Sequence, residues 1–201
     1  MAGRLSRDEK KARTKEQLLA AAESVFARRG LAASLDEVAE EAGFSKGAVY
    51  SNFAGKEDLV LALLERHMDE RLADLRRVLA SDLPVKAQVV EASRGFVALL
   101  EAERRRSLLF VELLAAAARD PSLGARFAAR YRALLGELAA LFEAQAQTLG
   151  LQGRVGGTRL AAAVLAMAHG FALQKLIDPA TVDDAMLEDM LLGYLSSLGV
   201  L

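Results

Sequence analysis

The chain has 201 residues, 53% of them hydrophobic and 26% charged, with no cysteine and a formal net charge of −1. Such a chain can bury a real core, in one larger domain or a small domain plus a medium one, and is not intrinsically disordered. The missing cysteine excludes a disulfide framework and a thiolate metal site, and the near-neutral charge excludes a surface that is basic throughout. An excess of Ala and Leu with only three prolines favours helix, and no stretch alternates at period two long enough to argue a strand. The expected fold is all-α, with about nine helices. The opening M-A-G-R-L-S-R has no apolar h-region, and no uninterrupted apolar run approaches eighteen residues. A soluble, cytoplasmic protein with no membrane partner is therefore expected.

Charge is sorted locally. Residues 1–60 hold ten Lys/Arg and ten Asp/Glu, yet Arg4, Arg7, Lys10, Lys11, Arg13 and Lys15 face only Asp8 and Glu9 within the first fifteen residues. Residues 1–13 read as a basic arm, which fits either a solvated tail or a segment that contacts DNA. Thr14 with Gln17 has the spacing of a capping box, which predicts a helix from there to Arg29 that stops at Gly30. Leu18, Ala22, Val25 and Phe26 form its inner stripe.

Two short helices follow. Ser34 with Glu37 is a second capping box, Leu35, Val38, Ala39 and Ala42 supply an apolar face, and Gly43 is a natural left-handed stop. Ser45 caps the next helix, with Phe44 and Val49 placed as a hydrophobic staple. Two capped helices separated by a short turn make a helix-turn-helix. On the second of them Val49 and Phe53 face a core, while Gly47 and Ser51 point away, flanked by Ala48 and Tyr50, with Lys46 in the first turn. No carboxylate lies between Gly43 and Lys56. Small residues, donors and no negative charge suit a surface that enters a groove lined by phosphates. A solvated surface helix or a protein-docking hairpin would share the helical pattern alone.

The run Gly43-Phe44-Ser45-Lys46-Gly47-Ala48-Val49-Tyr50-Ser51-Asn52-Phe53-Ala54-Gly55-Lys56-Glu57-Asp58-Leu59 resembles the signature of the tetracycline-repressor (TetR) family of transcriptional regulators. The likeness extends back to about Thr14, and beyond Leu64 it is one of length and helical pattern. It implies that Lys46 and Gly47 approach base edges in the major groove and that Tyr50, Lys56 and Asn52 hold phosphates. Ser34 would sit at a helix N-terminus near a phosphate, Ser45 would cap, and Ala48 and Ser51 would lie on the reading face. The family usually has a threonine directly before the cap serine, where this chain has Ala33. It often carries histidine or tyrosine where Ser51 and Asn52 stand, so a thinner readout is implied.

A long helix is expected from Lys56 to about Ala80, with Leu64, Met68, Leu72, Leu75 and Leu79 buried and His67 at its edge. The resemblance makes this helix the lever between ligand and DNA. Further helices are expected at about 85–104, 107–119, 122–149, 157–177 and 182–198, with one break at Arg104–Ser107. The helix-turn-helix domain is assigned to residues 1–58, and a helical ligand-binding and dimerisation domain to 59–201. Gly153-Arg154-Val155-Gly156-Gly157 lacks the preceding strand and the lysine-serine of a phosphate loop, and reads as a link.

Polar and aromatic residues inside apolar faces are the ligand-pocket candidates: Phe96, Phe110, Glu112, His169 and Gln174, with a weaker signal from Ser93. Glu112 lies among Leu108, Leu109, Ala115 and Ala116, which predicts a buried carboxylate, paired with Arg94 or one of Arg104 to Arg106, or bound to a ligand. His169 fits a core or interface histidine as well as a ligand contact. Phe96 and Phe110 fit core stripes equally well. Two isolated histidines make no metal site, and no cofactor is implied. The last two helices resemble those that join this family into dimers through a four-helix bundle, where Ala161, Ala162, Ala163, Ala166 and Gly170 allow close approach. A homodimer also suits a palindromic DNA site, since one short helix reads few base pairs. The expected function is a dimeric repressor released from a palindromic operator by a small hydrophobic or amphipathic ligand. An activator, or a regulator without an inducer, shares the same residues. An all-α enzyme lacks any catalytic arrangement or cofactor loop, and a protein-binding scaffold leaves the charge-free face unexplained.

Overall fold

Serine caps set the first three helices. In a computed structural model, which describes residues 6–102, 104–153, 156–180 and 182–201, helix α1 spans Arg7–Arg29. It opens on Ser6: the hydroxyl accepts from Glu9 N at 3.2 Å, and the Glu9 carboxylate accepts from Ser6 N at 2.7 Å. The start expected at Thr14 is therefore corrected. Thr14 lies about two turns inside and donates its hydroxyl to Lys10 O at 3.0 Å. Part of the expected arm is thus helix, and residues 1–5 of it lie outside the described residues. A 3-10 turn, Gly30–Ala32, leads to α2 (Leu35–Glu41), which opens on the Ser34–Glu37 box as expected. The turn to α3 (Lys46–Asn52) closes with Phe44 N donating to Ala39 O at 2.9 Å and Gly43 N to Glu40 O at 3.1 Å, while Gly43 takes φ +69°. This pairing satisfies the end of α2 only if Gly43 adopts the left-handed conformation that glycine supplies without strain.

The other helices are α4 (Lys56–Leu79), α5 (Val85–Ala102), α6 (Arg104–Ala117), α7 (Pro121–Thr148), α8 (Gly157–Ile177) and α9 (Ala185–Ser197). Among the described residues there is no strand. The break expected at Arg104–Ser107 lies earlier, between Ala102 at the end of α5 and Arg104 at the start of α6, and Glu103 is outside the described residues. No glycine or proline interrupts that stretch, and Arg104 to Arg106 form the first turn of α6. Of the Gly153–Gly157 link, Arg154 and Val155 lie outside the described residues.

The chain divides into two compact units, one of Met1–His67 with Leu108–Phe127, the other of Met68–Ser107 with Ala128–Leu201. In the first, Leu18, Val25 and Phe26 of α1, Val38 of α2, Val49 of α3, Leu59 and Leu63 of α4 and Leu109 and Leu113 of α6 close one apolar core. Each such side chain contributes about 1.5–3 kcal/mol by leaving water, so α2 and α3, at seven residues each, are held by packing rather than by their own helix propensity. His67, expected at an edge, is buried, with Nε2 3.6 Å from Glu23 Oε1. In the second unit Leu72, Leu138, Ala139 and Ala161 form one cluster, and Val97, Leu100, Phe171, Val182 and Leu187 another.

Helix α8 has the length and apolar composition of a membrane-crossing helix, although Arg159, His169 and Lys175 interrupt it. Only 11% of its most apolar eighteen-residue window is buried within the chain. Its exposed apolar residues Ala162, Ala166, Leu173 and Ile177 fall on one stripe.

Candidate nucleic-acid interface

The outer face of α3 is built by what its inner face must do. Val49 is fully buried and Phe53 is 3% exposed, and at 100° per residue this turns Lys46, Gly47, Tyr50 and Ser51 outward, all exposed. Tyr50 is 59% exposed, a large aromatic ring offered to solvent beside a phenol donor. A Cβ added at Gly47 would meet nothing nearer than Ser45 Oγ at 3.8 Å. The fold itself leaves room for a side chain there. Ser45 is occupied as a cap, accepting from Ala48 N at 3.3 Å.

Ser51 and Asn52 turn back on their own helix. Ser51 Oγ donates to Ala48 O at 2.9 Å, and Asn52 Nδ2 donates to Ala48 O at 2.8 Å and to Ser51 Oγ at 3.4 Å. Both amide protons of Asn52 are thereby spent inside α3. Half-buried Ala48 sits beneath them.

Three of the four acidic residues of α2 pair with neighbouring cations, and Glu40 stands exposed. Asp36 pairs with Lys46 of α3, Glu37 with Arg29, and Glu41 with Arg28 at 2.7 Å. The hydrogen bond to Asp36 holds the Lys46 ammonium above the ordinary lysine range. Glu37 is held below the ordinary carboxylate range, first by the Ser34 backbone N–H, then by the Ser34 hydroxyl and Arg29. Glu41 is held low by hydrogen bonds from Arg28 and Ser24. These pairs help a unit of zero net charge present an uncluttered α3, because Asp36, Glu37 and Glu41 are held by cations.

Leu31 is gripped at both main-chain ends. Its N–H donates to Glu112 Oε2 of α6 at 2.7 Å, and its carbonyl accepts from Lys56 Nζ at 2.6 Å. Lys56 is half-buried and keeps two further N–H donors. At the same junction Asp58 accepts from Ala54 N at 3.0 Å and pairs with Arg126 of α7. Neither Leu31, Asp36 nor Asp58 stood out in sequence. Their partners lie 81, 10 and 68 positions away, so only an unpaired excess of charge on each helix could have hinted at them.

The five ligand-pocket candidates do not converge. Glu112 is exposed, not buried, and its partner is a backbone N–H rather than an arginine. Phe110 packs on Phe127, ring centroids 6.0 Å apart, within the first unit. In the second unit Phe96 lies under the Arg71 guanidinium at 5.4 Å, and His169 stacks obliquely on Tyr131 at 6.1 Å. Burial, helped by the Arg71 charge, pushes the His169 pKa down, so the ring is neutral near pH 7. Arg71 was not singled out in sequence, although it flanks the Met68–Leu72–Leu75 stripe. Gln174 lines a separate hollow of about 270 Å³ between α8 and α9, with Ala166, Met167, Gly170, Phe171, Val182, Met186 and Met190. Ser93 is buried on α5. No group of His, Cys, Asp and Glu that could hold a metal ion occurs among the described residues.

Comparison with known proteins bears on both halves of the chain. The family model for bacterial regulatory proteins, tetR family, matches residues 18–63, and that for the BetI-type transcriptional repressor, C-terminal, matches residues 84–200. The HTH-type transcriptional activator FasR of Mycolicibacterium smegmatis is 36% identical over 110 residues, covering 54% of this chain and 48% of FasR. The HTH-type transcriptional repressor KstR2 of Rhodococcus jostii is 31% identical over 98 residues, 43% of this chain and 48% of KstR2. The aligned stretch thus spans about half the length of these curated relatives. Among solved structures, a transcriptional regulator from Rhodococcus sp. Rha1 is 30% identical with a TM-score of 0.70, covering 91% of this chain and 96% of that one.

Proposed function

This chain belongs to the TetR family of bacterial transcriptional regulators, and on that premise we propose that it is a homodimeric repressor that a small molecule releases from a palindromic operator. Residues 1–58 would read DNA, and residues 59–201 would bind ligand and dimerise. The observation that carries the DNA reading is the outward face of α3: exposed Lys46, Gly47, Tyr50 and Ser51, with Asp36 and Glu37 of α2 paired to cations. Lys46 and Gly47 would face base edges, with Ala48 and Ser51 beside them. Tyr50, Lys56 and the α2 N-terminus at Ser34 would hold phosphates. Asn52, its donors spent within α3, would support the helix instead.

Dimerisation is supported by the uncovered apolar stripe of α8, which a second copy would bury together with the hollow beside α9. The same stripe is a reason to read α8 as a partner face rather than a membrane span. A hydrophobic or amphipathic effector would meet Phe96, Arg71 and His169 in the second unit. The protein would act in the cytoplasm, where the DNA is. An activator is the second reading, favoured by the match to FasR.

The test is to select from a pool of random-sequence duplexes on the full chain, then measure binding at two salt concentrations. An inverted repeat should emerge, and six to ten phosphate contacts would lower affinity by about 10³–10⁵ between 50 and 200 mM salt. Failure to enrich any repeat, or affinity indifferent to salt, would sink the proposal. Transcription from a promoter carrying that repeat then separates repression from activation.

A further inference from the structure

The double grip on Leu31 reaches beyond the helix-turn-helix itself, and it rests on the DNA-binding reading above. Gly30 has φ +57°, and a Cβ built there would stand 2.8 and 2.9 Å from the two carboxylate oxygens of Glu112. Glycine is thus needed twice, for the backbone conformation and for the approach of the α6 carboxylate. Glu112 Oε2 takes the Leu31 N–H, and the Leu31 carbonyl takes one N–H of Lys56. Three residues on, Ser34 opens α2. The turn from Gly30 to Ser34 therefore joins the two groups that would face phosphates on that reading, the Lys56 ammonium bonded to Leu31 and the α2 N-terminus, and Glu112 bonds the turn from α6.

We propose that Glu112 is a positioning residue for DNA binding: by holding the Leu31 N–H it sets the Gly30–Ala32 turn, and through it the Lys56 ammonium and Ser34, in register for the phosphate backbone. Holding these groups in place before binding removes an ordering cost that a loose turn would have to meet on the operator. The role is open to a test of sign. Glu112 is an exposed carboxylate near a surface that meets phosphates, so field effects alone would make its removal tighten DNA binding. Positioning requires the opposite.

The experiment measures affinity for the duplex selected on the wild-type chain, over a range of salt, for Glu112→Ala, Glu112→Asp and Glu112→Gln. Alanine removes both charge and acceptor. Aspartate keeps the charge but is a methylene too short, and glutamine keeps the acceptor without the charge. Alanine and aspartate should each weaken binding about five- to tenfold, and should make the log–log salt slope shallower by about one, as a lost phosphate contact does. Glutamine should bind at least as well as wild type. Hydrogen exchange at the Leu31 amide should speed up in the alanine and aspartate variants and not in glutamine. Alanine or aspartate variants that bind as tightly as wild type or tighter, with an unchanged slope, overturn the proposal. A wild-type chain that selects no duplex instead overturns the DNA-binding reading on which it rests.

Discussion

Gly47 lies in the first turn of α3 with open space where a Cβ would be, and glycine inside a helix forfeits up to about 1 kcal/mol relative to alanine. Nothing among the described residues accounts for that sacrifice. A duplex approaching α3 closely would account for it, because a base edge or phosphate would occupy the same space. Gly47→Ala should therefore leave the melting temperature level or slightly raised while weakening affinity for the selected duplex. Gly47→Glu should abolish binding with helical content and dimer intact, since its charge would meet phosphates. Thermal melts by circular dichroism together with duplex titrations check both, and a Gly47→Ala protein that binds at wild-type strength would return this glycine to chance. Lys46 illustrates what a sequence hides at this scale. Its place on the outer face is legible from the phase of Val49 and Phe53, but its partner Asp36, ten positions upstream on another helix, is not. Moving Lys46 onto DNA means breaking that exposed pair, which salt already screens.

The helices themselves were largely legible, because caps and stops are local chemistry. Ser34–Glu37, Gly43 and Ser45 could be read directly, and the starts of α2 and α3 follow from them. The start of α1 is obscured for the same reason in reverse. Ser6 and Glu9 form a complete box, but they are embedded among cations that resemble a disordered arm. Glu112 was misplaced because a stripe of leucines predicts burial, whereas the side chain reaches out to a backbone N–H 81 positions away. Such long-range closures carry no local pattern. The local boxes have a consequence for acid stability. Glu9, Glu37 and Glu41 all sit below the ordinary carboxylate value of 4.5 in the folded chain, through hydrogen bonds from Ser6, Ser34 and Arg28 respectively. A group whose folded pKa is depressed binds its proton more readily when unfolded, so its contribution is complete above about pH 4.5 and is lost as pH falls through the lower folded values. Helicity and melting temperature should fall as the pH drops below about 4.5. A Glu37→Gln, Glu41→Gln double variant should start less stable and show a flatter pH dependence. A double variant with the wild-type profile would mean that these carboxylates do not govern the acid limb.

At the scale of the whole molecule, the unsolved quantity in one chain is the apolar surface of α8. Leu173 is 46% and Ile177 76% exposed, and Met186 at the start of α9 is 40% exposed, a contiguous kind of exposure that marks an interaction face rather than scattered surface. A Cβ at Gly170 of α8, or at Gly193 of α9, would have nothing within 4 Å. Two mid-helix glycines that nothing among the described residues requires are explained if another backbone comes close, and a twofold axis would bring the same stripe of a second copy there. The operator argument needs the same axis, because α3 spans only seven residues and one such helix reads too few base pairs for a specific site. Gly170→Arg tests both ends of this reasoning together. The side chain has room in the isolated protomer, so helical content and the first unit should be unaffected, while light scattering after gel filtration should report the protomer mass instead of twice that mass. Binding to the selected inverted repeat should fall by orders of magnitude. The sign is again informative, since an added positive charge would by field effects alone strengthen association with DNA. A Gly170→Arg protein that remains dimeric moves the dimer face elsewhere. One that becomes monomeric yet binds the repeat undiminished would mean that a single head suffices for recognition.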